Sequence, residues 1–260
     1  MCRVQMRSYH VLGMRVDDVT FEECLDLIDG WVRTGGPHSI VTPNPEFAMM
    51  ARRDPDFRGV LNGSALAIPD GIGLILAARL GGFRFREHVR GTDLVHRTAA
   101  LCAERGYRIF LLGAAPGVAE LAAGRLVRDN PRLQIAGTYA GSSSPDRDAD
   151  TREAILRAGR VDVILVAYGA AAQERWLARN LGVLGIPCGI GVGGVFNFLS
   201  GRSKRAPEWV RRLELEWLHR LITEPWRWRR QLALPGFAAT VLWETVTRRI
   251  PAAEGPKQDR

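Results

Sequence analysis

The sequence predicts an α/β protein: a mostly parallel sheet covered by helices on both faces, followed by a basic helical appendage. Three observations predict it. Short apolar runs ending in Gly or Pro alternate with helix-like segments from about residue 38 to 194. The clearest of these runs, 161–167 (VDVILVA), is almost wholly apolar and rich in branched residues, as a strand covered on both faces is. After Gly201 the pattern changes to helices alone. Residues 1–201 are therefore read as an α/β body, 202–250 as a helical appendage and 251–260 as a disordered tail.

The chain of 260 residues is long enough to bury a good core. Its net charge of +8 favours anionic partners without choosing among nucleic acid, acidic lipid and phosphate-bearing ligands. Most of that excess lies in 202–230, where nine basic residues meet four Glu and four of the seven Trp. No RRM, zinc-finger or helix-turn-helix signature accompanies it, so no nucleic-acid partner is expected. Cys2, Cys24, Cys102 and Cys188 form no CxxC pair and no zinc-ligand spacing; reduced, packed thiols are expected. The first residues, MCRVQMRSYHV, carry no apolar core of a secretory signal. No apolar run reaches the ~18–20 residues that cross a bilayer, so a membrane contact would be peripheral.

In chain order, 9–16 reads as a short strand pair. Thr20 and Glu23 form a capping box for a helix that ends near Gly35-Gly36. A strand at 39–42 runs into Pro43-Asn44-Pro45, where Asn44 is suited to cap a helix begun by Pro45. Asp54-Pro55 repeats that signal. A strand at 65–68 ends in Pro69-Asp70-Gly71 before an apolar helix at 72–80. The polar loop 84–93 leads to a helix capped by Thr92. Strands at 107–112, 133–137, 161–167 and 186–191 then alternate with helices at 118–129, 147–159 and 171–181. In the appendage, Trp209, Leu213, Trp217 and Leu221 recur every four residues as a helical stripe. Pro225 starts a short helix, and Pro235 opens a last one over 236–248.

Ligands of open α/β sheets bind beyond the carboxyl ends of the strands, and four such ends are suggestive. Thr42 and Asn44 offer polar groups beside a helix N-terminus, although capping alone explains Asn44. Asp70 is placed either to cap its helix or to act as a general base. Gly113 opens the turn Gly113-Ala-Ala-Pro-Gly117, which suits a diphosphate or is simply a tight turn. Gln173 faces either a nucleotide or solvent, and Gly193 and Gly194 permit close backbone approach. DRDAD (146–150) offers paired acids but reads as a solvated helix start. The five His form no HxxxH or HExxH pair, so no metal site is expected, and no GxSxG motif supports a hydrolase.

Taken in order, TPNPEF (42–47), PDGIG (69–73), VRGTDL (89–94), FLLGAAPGV (110–118), YGAAAQE (168–174), GVGGVFNFLSG (191–201), RAPEW (205–209), LEWLHRL (215–221) and EPWRWRR (224–230) resemble the WecG/TagA/CpsF family of bacterial glycosyltransferases. The resemblance covers about residues 9–245. It implies a Rossmann-like body and an inverting, metal-independent transfer without a cofactor. The donor it implies is a UDP-sugar carrying N-acetylmannosamine, its uronic acid or glucose. The implied acceptor is a lipid-linked sugar diphosphate at the inner face of the cytoplasmic membrane, in cell-wall or exopolysaccharide synthesis. By motif position it makes Asp70 the general base and puts Thr42 and Asn44 on the donor sugar or acceptor. It puts Gln173 at the nucleotide, and the strand-end glycines Gly113, Gly193 and Gly194 are read as binding the nucleotide or donor beside it. Arg90, Arg205, Arg220, Arg227 and Arg230 are assigned to the acceptor or its diphosphate.

The family pattern G-x-P-x-Q-E, often with Lys before Gln, departs here to Ala171 and Ala172. The alternative reading is therefore a catalytically weakened nucleotide-sugar or phospholipid-binding protein. An assembly of identical chains is compatible with either reading. A chain ended at Gly201 is expected to stay soluble and lose membrane binding.

Overall fold

The computed structural model describes residues 6–212, 215–223, 228 and 232–247. The expected tail 251–260 and, apart from Trp228, the helix expected from Pro225 lie outside the described residues.

Strands β1 (Arg7–Val11) and β2 (Met14–Asp18) form an antiparallel hairpin over a Leu12-Gly13 turn. Helix α1 (Phe21–Thr34) follows, and its Thr20/Glu23 capping box is present in both directions. Then come β3 (His38–Val41), α2 (Pro45–Arg53), α3 (Pro55–Asn62), β4 (Leu66–Ala67) and α4 (Ile72–Leu80). Asn44 and Asp54 cap α2 and α3 by accepting from the N–H of Phe47 and Phe57, at 3.1 and 2.9 Å. Helix α5 (Gly91–Arg105), β5 (Arg108–Gly113), α6 (Val118–Asp129) and β6 (Gln134–Tyr139) lead to α7 (Asp148–Arg157), β7 (Val163–Ala167), α8 (Ala172–Leu184) and β8 (Cys188–Gly191).

The six strands β3–β8 form one parallel sheet in the order β4-β3-β8-β7-β5-β6. Alternate residues of each strand face opposite sides. Ile109, Leu111, Val163, Leu165 and Ile190 join the core under α1, α5 and α6. On the other face, Phe110, Leu112, Ile164 and Val166 pack against Trp176 and Leu177 of α8. At the β3–β4 edge that face is instead covered by the hairpin and α2–α4, around Phe47, Phe57 and Leu74.

Past β8 the chain forms α9 (Val195–Leu199). Three more helices follow among the described residues: α10 (Glu208–Arg212), α11 (Glu216–Thr223) and α12 (Ala233–Val246). The expected tryptophan stripe is thus broken between α10 and α11 rather than carried by one helix. Trp209 and Trp217 are exposed and join none of the buried clusters of the body. Helix α12 does pack there. Phe237 and Val241 are buried in the cluster with Phe47, Phe57 and Leu74. No described helix is long and apolar enough to cross a membrane.

Two local expectations are corrected. Thr92 does not cap α5, because the helix already begins at Gly91 with Arg90 in the cap position. Asp148 of DRDAD is not solvated: it is 6% exposed and paired with Arg179 at 2.8 Å. The thiols of Cys24, Cys102 and Cys188 are free and buried as expected, and burial pushes those of Cys24 and Cys102 up to about 12. Cys2 lies outside the described residues.

Candidate active site

The chain steps from β3 outward to edge strand β4, then crosses the sheet to β5. The loops leaving β3, β4, β7 and β8 meet at the carboxyl end of the sheet, where ligands of such sheets bind. Hydrogen bonds tie these loops together. The N–H of Asp70 donates to the carbonyl of Pro43 at 2.7 Å, and that of Val192 to Val166 at 2.9 Å. The Thr42 hydroxyl donates to the Gly191 carbonyl at 3.2 Å, joining the β3 and β8 loops.

Asp70 sits where these connections converge. Gly71, which follows it, takes φ +88°, a conformation glycine adopts without steric cost. The turn begins α4 with no side-chain cap, so Asp70 is not the cap of its helix. Its Oδ1 instead lies 3.5 Å from the N–H of Gly91, the first residue of α5. A Cβ on Gly91 would stand 3.3 Å from Thr42 Cγ2, so Thr42, Asp70 and the start of α5 are in close register. Asp70 remains partly exposed.

Two cavities meet at this carboxylate. The smaller, about 290 Å³, runs along the β7 and β8 loops and is lined by Thr42, Asn44, Thr92, Gln173, Gly193 and Gly194 as well as Asp70. The larger, about 600 Å³, lies between α2, α4 and α12. Asn44, Glu46, Asp70, His88 and Arg90 line its polar end, and leucines of α4 and α12 line the rest. Asn44, Asp70 and Thr92 line both.

Gln173 is buried, not solvent-facing. Its Oε1 accepts from the N–H of Gly169 and of Gly193, and its Nε2 donates to Glu174 Oε1 at 2.7 Å. It therefore sets the shape of the smaller cavity by holding both glycine turns. Glu174 is 1% exposed, and burial pushes its carboxyl up to about 7 against the partial relief of the Gln173 amide. Ala171, just before, has φ +63°. A proline ring cannot take that angle, so this backbone does not admit the proline of the family pattern.

The other assigned residues divide. Arg90 lines the larger cavity. Gly113 lines neither. Its missing side chain is required by packing, since a Cβ there would stand 2.8 Å from the carbonyl carbon of Ala167 on β7. Arg205 also lines neither cavity and pairs with Asp93 of α5 at 2.7 Å. The side chain of Arg220, with Arg227 and Arg230, lies outside the described residues. The sequence reading missed Thr92 as a cavity residue, as well as His88, Glu46 and the α12 wall. The polar loop 84–93 signalled the first two only as loop and cap, and no local pattern marked where α12 docks.

Comparison with known proteins bears on this geometry. The chain is 37% identical over 210 residues to the N-acetylglucosaminyldiphosphoundecaprenol N-acetyl-beta-D-mannosaminyltransferase of Bacillus subtilis (strain 168), covering 81% of each chain. It is 33% identical over 221 residues to the enzyme of the same name from Bacillus spizizenii (strain ATCC 23059 / NRRL B-14472 / W23), covering 85% of each. The stretch 9–251, which includes every loop of the two cavities, matches the glycosyl transferase WecG/TagA/CpsF family; the chain belongs to that family and is a glycosyltransferase.

Proposed function

We propose that this enzyme moves N-acetylmannosamine from a UDP-sugar to a polyprenyl-diphosphate-linked acceptor, by one inverting displacement with Asp70 as the base and no metal. The observation that carries it is the position of Asp70 at the junction of the two cavities. The smaller takes the donor against the Gly169 and Gly193-Gly194 turns. The larger takes the acceptor, with Arg90 at its polar end for the diphosphate. N-acetylmannosamine is preferred to its uronic acid or glucose because the relatives' names specify it. Those names also give a β-linked product, which from an α-linked nucleotide donor means inversion.

In the transfer, the acceptor hydroxyl gives its proton to the Asp70 carboxylate as its oxygen bonds to the anomeric carbon. The bond from that carbon to the UDP oxygen breaks, and its electron pair leaves with UDP. Thr42 and Asn44, fixed at 3.2 Å on Gly191 and 3.1 Å on Phe47, hold the reacting sugars in line. The product then leaves at the inner face of the cytoplasmic membrane, for cell-wall or exopolysaccharide synthesis.

The Asp70→Asn variant tests this reading. It keeps the side-chain shape and loses the base, so transfer is expected to fall by about 10²–10⁴-fold while UDP affinity stays near normal. Turnover at the wild-type rate would remove Asp70 from the role.

A further inference from the structure

The larger cavity changes character along its length. Near Asp70 it is polar. Away from Asp70 it becomes a groove between α4 and α12, walled by Ile72, Leu76 and Leu80 on one side and Leu234 and Leu242 on the other, with Trp217 of α11 also on its lining. Leu76, Leu80 and Leu242 are 46%, 54% and 53% exposed. Leucines left half uncovered along one continuous groove mark an apolar ligand rather than incidental surface.

We propose that this groove holds the first isoprene units of the acceptor's polyprenyl chain, making Leu76, Leu80, Leu234 and Leu242 a lipid-tail subsite. The inference rests on the acceptor reading above and adds what selects the lipid. The gradient of the cavity fits one molecule end to end. The sugar hydroxyl lies at Asp70, the diphosphate at Arg90, and the chain runs out between the helices. From Ile72 to Leu80 the helix rises about 12 Å, room for a few isoprene units before the chain leaves the protein. Helix α12 is held for this task by Phe237 and Val241 beneath it, so Leu234 and Leu242 stand on a fixed wall. The groove also gives the acceptor a way to rest in the enzyme with its tail still directed to the bilayer.

The same leucines would favour a bilayer directly, so the test is run without one. Transfer is measured in detergent-free buffer with two soluble acceptors that carry the same sugar diphosphate. One bears a tail of a few isoprene units and the other a methyl group. The subsite is supported if the wild-type enzyme uses the prenyl acceptor about ten-fold or more better in kcat/KM, mainly through KM. It is further supported if Leu76→Gln and Leu242→Gln each raise the prenyl acceptor's KM toward the methyl value. Calorimetric UDP binding by both variants reports that they are folded. Equal use of the two acceptors by the wild-type enzyme would overturn the subsite, as would wild-type preference retained in both variants. Transfer to neither acceptor by the wild-type enzyme would overturn the acceptor reading beneath it, a different result from transfer blind to the tail.

Discussion

The side-chain oxygen of Gln173 accepts from the backbone N–H groups of Gly169 and Gly193, at 3.2 and 3.0 Å, and so clamps the loops after β7 and β8 to each other. Neither loop has secondary structure of its own at that point. The first turn of α8 thus fixes the width of the smaller cavity through one amide. Glu174 in turn fixes the amide, since its Oε1 accepts from Gln173 Nε2 and leaves Oε1 of Gln173 toward the glycines.

Replacing Gln173 by Ala strips both N–H groups of their acceptor in a part-buried place. Unsatisfied buried donors cost about 1–3 kcal/mol each. The expected result is a thermal midpoint several degrees lower and UDP affinity reduced by more than the stability loss alone would bring. Gln173→Glu keeps the acceptor but sets a second carboxyl against Glu174, so it should lose most affinity at high pH and recover as pH falls. Calorimetric titration of UDP into both variants at pH 6 and 8 checks this. Equal affinities to wild type would show that the loops hold their shape unaided.

The Glu174 carboxyl makes stability depend on pH. Burial raises it from an ordinary 4.5 to about 7. Between those values the native carboxyl keeps its proton while the unfolded one has lost it, so the native state binds more protons. Stability therefore falls as pH rises through this window and levels off above about 7. The full change is on the order of 3 kcal/mol. Glu174→Gln keeps the oxygen that faces Gln173 and cannot ionise. Its urea midpoint should be nearly flat from pH 5 to 8 apart from other groups, and above wild type at pH 8. A variant with the wild-type slope would locate the titration elsewhere.

Much of the fold was legible because its punctuation is chemical. Thr20 with Glu23, Asn44 with Pro45 and Asp54 with Pro55 each announce a helix start that the structure keeps. Position 70 was legible as an alternative, and the structure removes the cap from it: α4 has no side-chain cap, and the carboxylate faces Gly91. At Gly113 a glycine turn after a strand looks the same whether a ligand or a neighbouring strand needs the space. Only the contact with Ala167 separates the two. The pairing of Arg205 was equally illegible, since a basic residue in a site motif gives no sign of a partner over a hundred positions away, at Asp93. Helix α12 was predicted as a helix, but its docking on α2 and α4 is tertiary and leaves no local pattern.

Ala171 carries strain that can be measured. A non-glycine residue at φ +63° with ψ −38° lies outside the regions that suit a Cβ. Such positions cost roughly 1–3 kcal/mol. Ala171→Gly is therefore expected to stabilise the chain, by up to about 1 kcal/mol after the greater entropy of the unfolded glycine. Ala171→Pro, which restores the family residue type, is expected to destabilise this chain or force the turn into another shape. Chemical denaturation of the two variants checks both signs. A stable Ala171→Pro with unchanged UDP affinity would show that the turn moves freely between the two backbones.

The packing of α12 changes what removal of the appendage should do. Phe237 and Val241 are 4% and 3% exposed, in one cluster with Phe47, Phe57 and Leu74, and Glu244 pairs with Arg52 at 3.6 Å. A chain ended at Gly201 would uncover the apolar flanks of α2 and α4. It should melt earlier and bind a hydrophobic dye, so its loss of vesicle binding would not isolate a membrane contact. Phe237→Ala alone is expected to cost about 3–5 kcal/mol. The exposed residues give the cleaner experiment. Ile222 and Trp243 are 72% and 65% exposed, and their replacement by Ser removes apolar surface without opening the core. Burying such side chains in a bilayer interface is worth about 1.5–3 kcal/mol each. The double variant should therefore keep the wild-type melting temperature and sediment with anionic vesicles at least ten-fold more weakly. Vesicle binding equal to wild type would count against a membrane contact through these two residues.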